Sequence, residues 1–324
     1  MISASQFKPA WWLPNAHSQT MLAKYFKRHQ QISLISEQFP TPDGDFVELA
    51  WTSKPAVQSN TPIIVILHGL EGSKDSHYAK GMLQAIAAKG WHGVLMHFRG
   101  CGEQQNRFGA SYHSGDTKDI HSFSQWLGQT YPLNPKALIG FSLGGNVTVK
   151  YLGETNCSPY KAASVICAPL DLASCSKRIS SGFSKVYENY LLNMLKNSTI
   201  AKVQAKKLPE LCVDKIKSLR SIWQFDDYVT GPINGFKNAI DYYQQSSGKQ
   251  FLAKITKPCL IIHAQDDPFL SHRDIVDIPE NLPKNIRFEV SKKGGHVGFI
   301  SGNNPLKPIF WLEQRIPAFL SEHL

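Results

Sequence analysis

Long apolar runs are missing from this sequence of 324 residues. The longest, such as Ile63–Leu67 and Cys259–Ile262, fall far short of the roughly 20 residues that a membrane-spanning helix needs. The N-terminal residues contain no basic stretch followed by an apolar run, so we expect no signal peptide. These absences favour a cytoplasmic location over a membrane-embedded or secreted one.

Cysteine pairs and zinc-binding patterns are missing as well. None of the six cysteines belongs to a C-x-x-C pair, and several stand in apolar, strand-like segments. In a reducing compartment such thiols stay unpaired and pack as small apolar side chains. We therefore expect reduced, buried cysteines and no metal site.

Acidic residues are fewer than basic ones: 25 Asp and Glu stand against 35 Lys and Arg, a net charge of +10. Such an excess can indicate a nucleic-acid partner or an anionic surface. The sequence has no helix-turn-helix, zinc-finger or RNA-binding signature, so nucleic acid is not an expected partner. Between Asp171 and Lys257 there are 14 basic and 7 acidic residues, which places most of the excess in one segment.

What the sequence does contain is an alternation of strand-like and helix-like segments. Short, wholly apolar, β-branched runs are typical of strands buried on both faces of a sheet. Four such runs follow one another: Ile63–Leu67, Gly93–Phe98, Ala137–Phe141 and Ala163–Cys167. Amphipathic, helix-like spacing separates them, which predicts an α/β fold with a mostly parallel central sheet and helices on both faces. The first 55 residues are predicted to be β-rich, with a hairpin around Pro42-Asp43-Gly44.

The alternation stops at Asp171 and resumes with the strand-like run Cys259–His263. The intervening residues are amphipathic, Lys-rich and helix-like. We therefore predict a core made of residues 1–170 and 252–324, with a helical cap or lid over residues 171–251. An insertion at the C-terminal edge of a parallel sheet covers the place where such sheets bind ligands.

One motif points to chemistry: residues 140–144 read Gly-Phe-Ser-Leu-Gly, directly after a predicted strand and before a predicted helix. This is the G-x-S-x-G pattern in the strand–turn–helix context that gives it meaning. The glycines allow a turn so sharp that Ser142 stands above the sheet, exposed near a helix N-terminus. Ser142 is therefore the predicted nucleophile.

A serine hydroxyl needs a base to take its proton and a carboxylate to orient that base. In this context the partners follow in the order Ser, Asp or Glu, His. Four histidines follow Ser142: His263, His272, His296 and His323. Only His296 stands in a glycine-rich loop after a strand, which can turn the imidazole back over the sheet, so His296 is the predicted base. The acid should follow the preceding strand, where Asp266 and Asp267 are adjacent. We favour Asp267, immediately before a proline, and interpret Asp266 as a loop-capping or solvated residue.

An acyl-transfer intermediate also needs two hydrogen-bond donors for its oxyanion. One predicted donor is the backbone N–H of Leu143, the residue after the nucleophile. The other is the backbone N–H of Leu70, in the glycine-containing loop that follows Ile63–Leu67. Nearby polar side chains are expected to be structural instead: His17, His68, Glu71, Arg99 and His113.

Several segments together resemble the α/β-hydrolase superfamily and, within it, the YheT-like hydrolase branch, which is related to abhydrolase-domain lipid esterases and yeast ethanol acyltransferase/esterases. The resemblance spans roughly residues 10 to 320. It is carried by the triad motifs and by four segments: Trp12–Thr20, His97–Gly102, Tyr112–Gly115 and Asp266–Phe269. It implies hydrolysis of carboxylic esters, often with short- to medium-chain acyl groups, and acyl transfer in some members. It implies no metal and no organic cofactor.

The sequence thus predicts a serine esterase that cleaves short- to medium-chain acyl esters through an acyl-enzyme, with Ser142, Asp267 and His296 as triad. Two alternatives stay open: an acyltransferase that passes the acyl group to an alcohol or amine, and a non-catalytic lipid-binding protein on the same fold. The basic cap is either a solvated helical surface or a means of attracting anionic acyl substrates or an anionic lipid surface.

Overall fold

The computed structural model describes residues 2–27, 31–56, 58–271 and 282–324. Strands in these ranges form a nine-stranded sheet with the order β1-β9-β8-β7-β6-β4-β5-β3-β2, and a small separate pair. Their bounds are β1 Ile2–Ala4, β2 Ile35–Pro40, β3 Phe46–Trp51, β4 Ile63–Leu67, β5 His92–Met96, β6 Lys136–Phe141, β7 Ala162–Ile166, β8 Cys259–Ala264, β9 Ile286–Ser291, β10 Ile300–Ser301 and β11 Ile309–Phe310.

The centre of the sheet is parallel and buried on both faces. Strand β4 pairs in parallel with β5 and β6, and the parallel pairing continues through β7 and β8 to β9. Within the nine-stranded sheet, only the β2–β3 hairpin and the pairing of β3 with β5 are antiparallel among the described strands; the separate β10–β11 pair is antiparallel as well. Every residue of β4, β6, β7 and β8 is buried, as expected for a sheet covered on both sides. The predicted mostly parallel α/β sheet is therefore confirmed.

Helices cover both faces of this sheet. The described α-helices are α1 Ala16–Lys27, α2 His77–Ala88, α3 Lys118–Thr130, α4 Leu143–Glu154, α5 Leu172–Ile179, α6 Lys185–Gln204, α7 Val213–Ser218, α8 Ile222–Phe225, α9 Gly231–Ile233, α10 Ala239–Ser246 and α11 Leu312–Ser321. Apolar side chains of α3 and α4 join one core cluster, whereas those of α2 and α11 join the cluster on the opposite face.

A helical insertion separates β7 from β8, running from α5 through α10 to a 3-10 helix that ends at Lys254. It has a small apolar core of its own, formed by Leu192, Leu208, Leu211, Ile216, Leu219, Phe225 and Val229. The helix-like character expected here is confirmed. The bounds 171–251 for a separate cap remain a prediction.

In the N-terminal region the predicted hairpin around Pro42-Asp43-Gly44 is confirmed by β2 and β3, whereas α1 is a helix in a stretch expected to be β-rich. Asn15 caps it: its Oδ1 accepts the backbone N–H of Ser18 at 2.8 Å. The helix has the reverse of the usual amphipathic pattern. The polar residue Gln19 is buried and bonds the backbone of Ile300 in both directions, whereas apolar residues of the same helix face outward. Hydrophobic periodicity therefore could not reveal it.

No helix within the described ranges has the length and apolar character needed to cross a bilayer. None of the six cysteines forms a disulfide, although Cys157 and Cys212 are exposed rather than buried.

Candidate active site

Ser142 stands at the turn between β6 and α4. The turn is so sharp that the positions two residues before and after Ser142 have no room for a side chain. The backbone of Ser142 has φ 51° and ψ −119°, a strained conformation for a residue with a side chain. A Cβ atom at Gly140 would lie 2.3 Å from Thr148 Oγ1. One at Gly144 would lie 2.5 Å from the Leu67 carbonyl oxygen. The two glycines are therefore a packing requirement of this turn.

The turn brings Ser142 next to two side chains from distant parts of the chain. Its Oγ lies 2.9 Å from Nε2 of His296, and Nδ1 of the same ring lies 2.8 Å from Oδ2 of Asp267. Ser142 is partly exposed, whereas Asp267 and His296 are buried. A carboxylate, an imidazole and a hydroxyl thus form one continuous chain of hydrogen bonds, which we call the Ser–His–Asp triplet.

The two neighbouring aspartates after β8 have different partners. Asp267 contacts the His296 ring through Oδ2, while its Oδ1 accepts the backbone N–H of Phe269 at 2.8 Å. Asp266 instead accepts the backbone N–H of Gly295 at 2.9 Å, and burial raises the pKa of its carboxyl group. Asp266 therefore braces the loop that carries His296, and Asp267 contacts the imidazole itself.

The other histidines that follow Ser142 have different surroundings. His263 is fully buried in β8, and burial lowers its pKa to about 4. Its ring nitrogens have no hydrogen-bond partner among the described residues. His323 packs against the ring of Phe319 at the C-terminus. His272 lies outside the described residues.

Two residues that sequence reasoning did not single out hold His296 in place. The Phe269 ring stacks on the imidazole with centroids 4.0 Å apart and planes 11° apart. The His296 backbone N–H donates to Thr20 Oγ1 at 2.9 Å, which fixes the loop to helix α1. Both residues stand inside segments that carry the family resemblance, Trp12–Thr20 and Asp266–Phe269, so that resemblance was the only signal that could have found them.

The loop between β4 and α2 lies against the nucleophile. A Cβ atom at Gly69 would lie only 3.2 Å from Ser142 Cβ. Two tyrosine hydroxyls tie this loop down: the Gly69 N–H donates to Tyr78 Oη and the Glu71 N–H to Tyr112 Oη, each at 2.8 Å. Between them, the N–H of Leu70 has no acceptor within the described chain, and neither has that of Leu143 at the start of α4. Two backbone donors next to Ser142 are therefore available to a ligand.

Glu71 takes part in holding the loop. Its backbone lies in the left-handed region, with φ 50°. Its Oε1 accepts a hydrogen bond from Tyr112 Oη at 2.8 Å, so the same hydroxyl contacts both the backbone and the side chain of this residue. Burial raises the pKa of the Glu71 carboxyl group. The expectation of a structural role for Glu71 agrees with these contacts.

The remaining polar side chains near the loop have structural partners. His68 is fully buried; its Nε2 accepts the Phe98 N–H at 3.0 Å, and burial lowers its pKa to about 3. Arg99 donates two 2.7 Å hydrogen bonds to the carboxylate of Asp119 and bonds Asp43 as well. These contacts agree with the structural roles expected for both residues.

Two further histidines lie between the core and the helical insertion. His113 Nδ1 accepts the Gly115 N–H at 3.2 Å, and burial lowers its pKa to about 3. His17 Nδ1 lies 3.0 Å from the hydroxyl of Tyr187 in α6. Neither imidazole bonds to Ser142, so the structural roles expected for both agree with their contacts.

A pocket of about 40 Å³ with a mixed polar and apolar lining lies between the β4–α2 loop and the helical insertion. Glu71 and Tyr112 line it from the core, and Ser198, Lys202 and Phe225 line it from the insertion. Burial lowers the pKa of Lys202 to about 8. Its Nζ donates to Ala110 O at 2.7 Å and thereby joins α6 to the core. The insertion thus packs against the β4–α2 loop at Glu71.

One group of possible metal ligands occurs among the described residues: Cys167, Asp267 and His296, whose ligand atoms lie within 4.8 Å of one another. Two of these side chains already bond each other in the Ser–His–Asp triplet. Burial raises the pKa of the Cys167 thiol well above its ordinary value, which disfavours the thiolate that binds metals. The group is better suited to hydrogen bonding than to metal binding.

Comparison with known proteins agrees with this geometry. A family model described as "alpha/beta hydrolase fold" matches residues 62–303, which is most of the chain. The chain belongs to the α/β-hydrolase fold family. The predicted membership of this superfamily is confirmed.

Similarity to individual proteins indicates the branch of the family to which this α/β hydrolase belongs. It is 44% identical to "Putative esterase YheT" of Escherichia coli K12 over 99% of this chain and 95% of that protein, which confirms the YheT-like branch. It is 25% identical to the bovine protein named phospholipase ABHD3 over 91% of this chain and 74% of that one. Among solved structures, the Pyrococcus furiosus esterase Pf2001 shares the fold with a TM-score of 0.56 at 15% identity, covering 90% of this chain and 93% of that one.

Proposed function

We propose that this α/β hydrolase is a serine esterase that cleaves carboxylic esters through an acyl-enzyme. The observation that carries the proposal is the continuous hydrogen-bond chain from Ser142 through His296 to Asp267, next to two backbone N–H groups that have no acceptor among the described residues. A nucleophile, a base, an orienting carboxylate and an oxyanion site are the parts that acyl transfer requires. The names of its relatives as esterases and a phospholipase support the same reaction class.

In the proposed mechanism, Ser142 Oγ attacks the ester carbonyl carbon while His296 Nε2 takes its proton. The carbonyl oxygen becomes an oxyanion, which accepts hydrogen bonds from the N–H groups of Leu143 and Leu70. Collapse of the tetrahedral intermediate expels the alcohol oxygen, which receives the proton back from His296. Water then repeats the sequence on the acyl-enzyme and releases the acid. Asp267 keeps the imidazole in the required tautomer and orientation.

We further propose short- to medium-chain acyl esters as substrates and residues 171–251 as a cap over the site. The acyl length rests on the resemblance to the YheT-like branch. The cap is supported by contacts of α6 with the core: Lys202 Nζ donates to Ala110 O, and the Tyr187 ring lies 5.1 Å from that of Phe269, which stacks on the His296 imidazole. Six cysteines without a disulfide support a reducing compartment, in keeping with the cytoplasm.

The proposal is tested by the substitution Ser142→Ala, with Ser122→Ala on α3 as the matched control. We expect hydrolysis of p-nitrophenyl acyl esters to fall by about 10⁴-fold or more in Ser142→Ala, and labelling by a fluorophosphonate probe to disappear. Ser122→Ala should keep both. A Ser142→Ala protein that retains the wild-type rate would contradict the mechanism. Adding an alcohol acceptor separates hydrolysis from acyl transfer, because a transferase would form more new ester than free acid.

A further inference from the structure

Helix α1 exposes an apolar face of its own. Met21, Leu22, Tyr25 and Phe26 are all exposed, with Tyr25 at 60%. They stand at spacings of one, three and four residues and therefore share one side of the helix. The opposite side carries the buried Gln19 and Ala23. Scattered exposed apolar residues are ordinary, but four neighbouring ones on one helix face form a contiguous patch.

The start of α6 extends this patch. Val186 and Tyr190 of α6, and Phe183 in the 3-10 turn just before it, are each more than half exposed and are spaced to share one side. The two helices meet there: the His17 ring lies 4.4 Å from that of Phe183, and Lys24 Nζ lies 5.7 Å from the centre of the Tyr190 ring. We call these seven apolar residues of α1 and of the α6 region the apolar platform.

The apolar platform adjoins the candidate active site. The inner side of α1 carries Thr20, which bonds the backbone of His296. On α6, the Tyr187 ring lies 5.1 Å from that of Phe269, which stacks on the His296 imidazole. The two helices that carry the apolar platform, α1 and α6, therefore also contact the residues that hold His296.

The two segments that contain the apolar platform both carry a net positive charge. Residues 1–36 contain four basic residues and no acidic one, a net charge of +4. Residues 171–257 contain 14 basic and 7 acidic residues, a net charge of +7. Since the whole chain carries +10, the remaining residues together carry −1. Lys24 and Lys185 are both exposed: Lys24 lies against the Tyr190 ring of the platform, and Lys185 directly precedes Val186 in the chain.

We propose that the apolar platform docks on the surface of an anionic lipid bilayer. Exposed aromatic and aliphatic side chains with lysines among them are the features of helices that lie in the membrane interface. A second copy of this chain fits less well, because two such platforms would bring like charges together. Docking does not depend on the proposed esterase activity, but it would bring the Ser–His–Asp triplet to esters dissolved in the bilayer.

The experiment measures co-sedimentation with vesicles of phosphatidylcholine containing phosphatidylglycerol, and with vesicles of phosphatidylcholine alone. We expect wild-type protein to bind the anionic vesicles, and to bind less as salt is added. Tyr25→Ser/Val186→Ser should weaken this binding about tenfold. The matched control is Leu133→Ser/Ile240→Ser, which removes apolar side chains of nearly equal exposure outside the platform and should bind like wild type.

A second pair of variants keeps the test independent of folding defects. Lys24→Glu/Lys185→Glu should weaken anionic-vesicle binding about tenfold or more, whereas Lys89→Glu/Lys284→Glu, elsewhere on the surface, should lose much less. Unfolding midpoints close to wild type show that each variant is folded. Equal binding to neutral and anionic vesicles, or platform variants indistinguishable from their controls, would overturn the proposal.

Two further outcomes separate this proposal from others. A wild-type dimer that Tyr25→Ser/Val186→Ser dissociates, with no vesicle binding by either, would identify the platform as an interface between copies and overturn lipid docking. Ser142→Ala should bind vesicles like wild type while hydrolysing no ester, so that a failure of the esterase proposal and a failure of lipid docking are distinguishable.

Discussion

At the scale of single residues, two adjacent aspartates show how the loop after β8 divides two tasks. Asp267 is buried, and its two oxygens bond the His296 ring and the Phe269 N–H. The side chain of Asp266 points instead to the backbone N–H of Gly295. Two consecutive residues thus hold the same loop, Asp267 through the side chain of His296 and Asp266 through the main chain of Gly295.

The pair allows a matched prediction. Asp267→Asn should lower kcat for p-nitrophenyl esters about 10³- to 10⁴-fold, because an amide in place of the carboxylate favours the wrong imidazole tautomer. Asp266→Asn should lower it less than about threefold, since the amide oxygen can still accept the Gly295 N–H. The prediction is checked by measuring steady-state rates of both variants, with unfolding midpoints close to wild type as evidence that each is folded. Comparable losses in the two variants would contradict the assignment of Asp267.

At the scale of elements, the β4–α2 loop depends on tyrosines from two other segments. Tyr78 comes from α2 and Tyr112 from the connection before α3, and each accepts one N–H on either side of Leu70. Because the Leu70 N–H has no acceptor of its own, its direction is set by its neighbours. Tyr112 is therefore a positioning residue for the proposed oxyanion site.

We predict that Tyr112→Phe lowers kcat about tenfold and leaves KM nearly unchanged. The substitution removes the acceptor of the Glu71 N–H and the donor to its carboxylate, and an oxyanion donor is worth about 10²- to 10³-fold when lost altogether. Tyr160→Phe is the control: it removes a buried hydroxyl bonded to Ser124 and should change stability but not kcat. If both variants lose only stability, or lose kcat equally, the loop is not positioned in this way.

How far the sequence predicts the structure differs from element to element. The strands β4 and β6 were predictable because wholly apolar, β-branched runs have few alternatives to a buried parallel strand. The grouping of Ser142 and His296 followed from chain order in that sheet. Helix α1 was not predictable, since its buried side carries Gln19 and its exposed side carries Met21 and Tyr25. Hydrophobic periodicity assumes that apolar residues face the core, and here they face outward.

At the scale of the whole molecule, the charge is distributed unevenly. Residues 1–36 and 171–257 carry +4 and +7, and the rest of the chain carries −1. The first segment includes α1, which touches the His296 loop, and the second includes the helices next to the β4–α2 loop. Both segments with a net positive charge thus contact loops that adjoin Ser142, and a local excess of one sign steers a ligand of the opposite charge.

This distribution predicts a salt effect that depends on the charge of the substrate. For an ester that carries a carboxylate, such as a p-nitrophenyl dicarboxylic monoester, kcat/KM should fall about three- to tenfold as salt rises from low to high concentration, because screening shortens the range of the attraction. For p-nitrophenyl butyrate, which is neutral, it should stay nearly constant. Lys24→Glu/Lys185→Glu should flatten the response to the anionic ester, and Lys89→Glu/Lys284→Glu should not. If anionic and neutral esters respond to salt alike, the basic residues are simply a solvated surface, since a field that acts on charge cannot treat the two substrates equally.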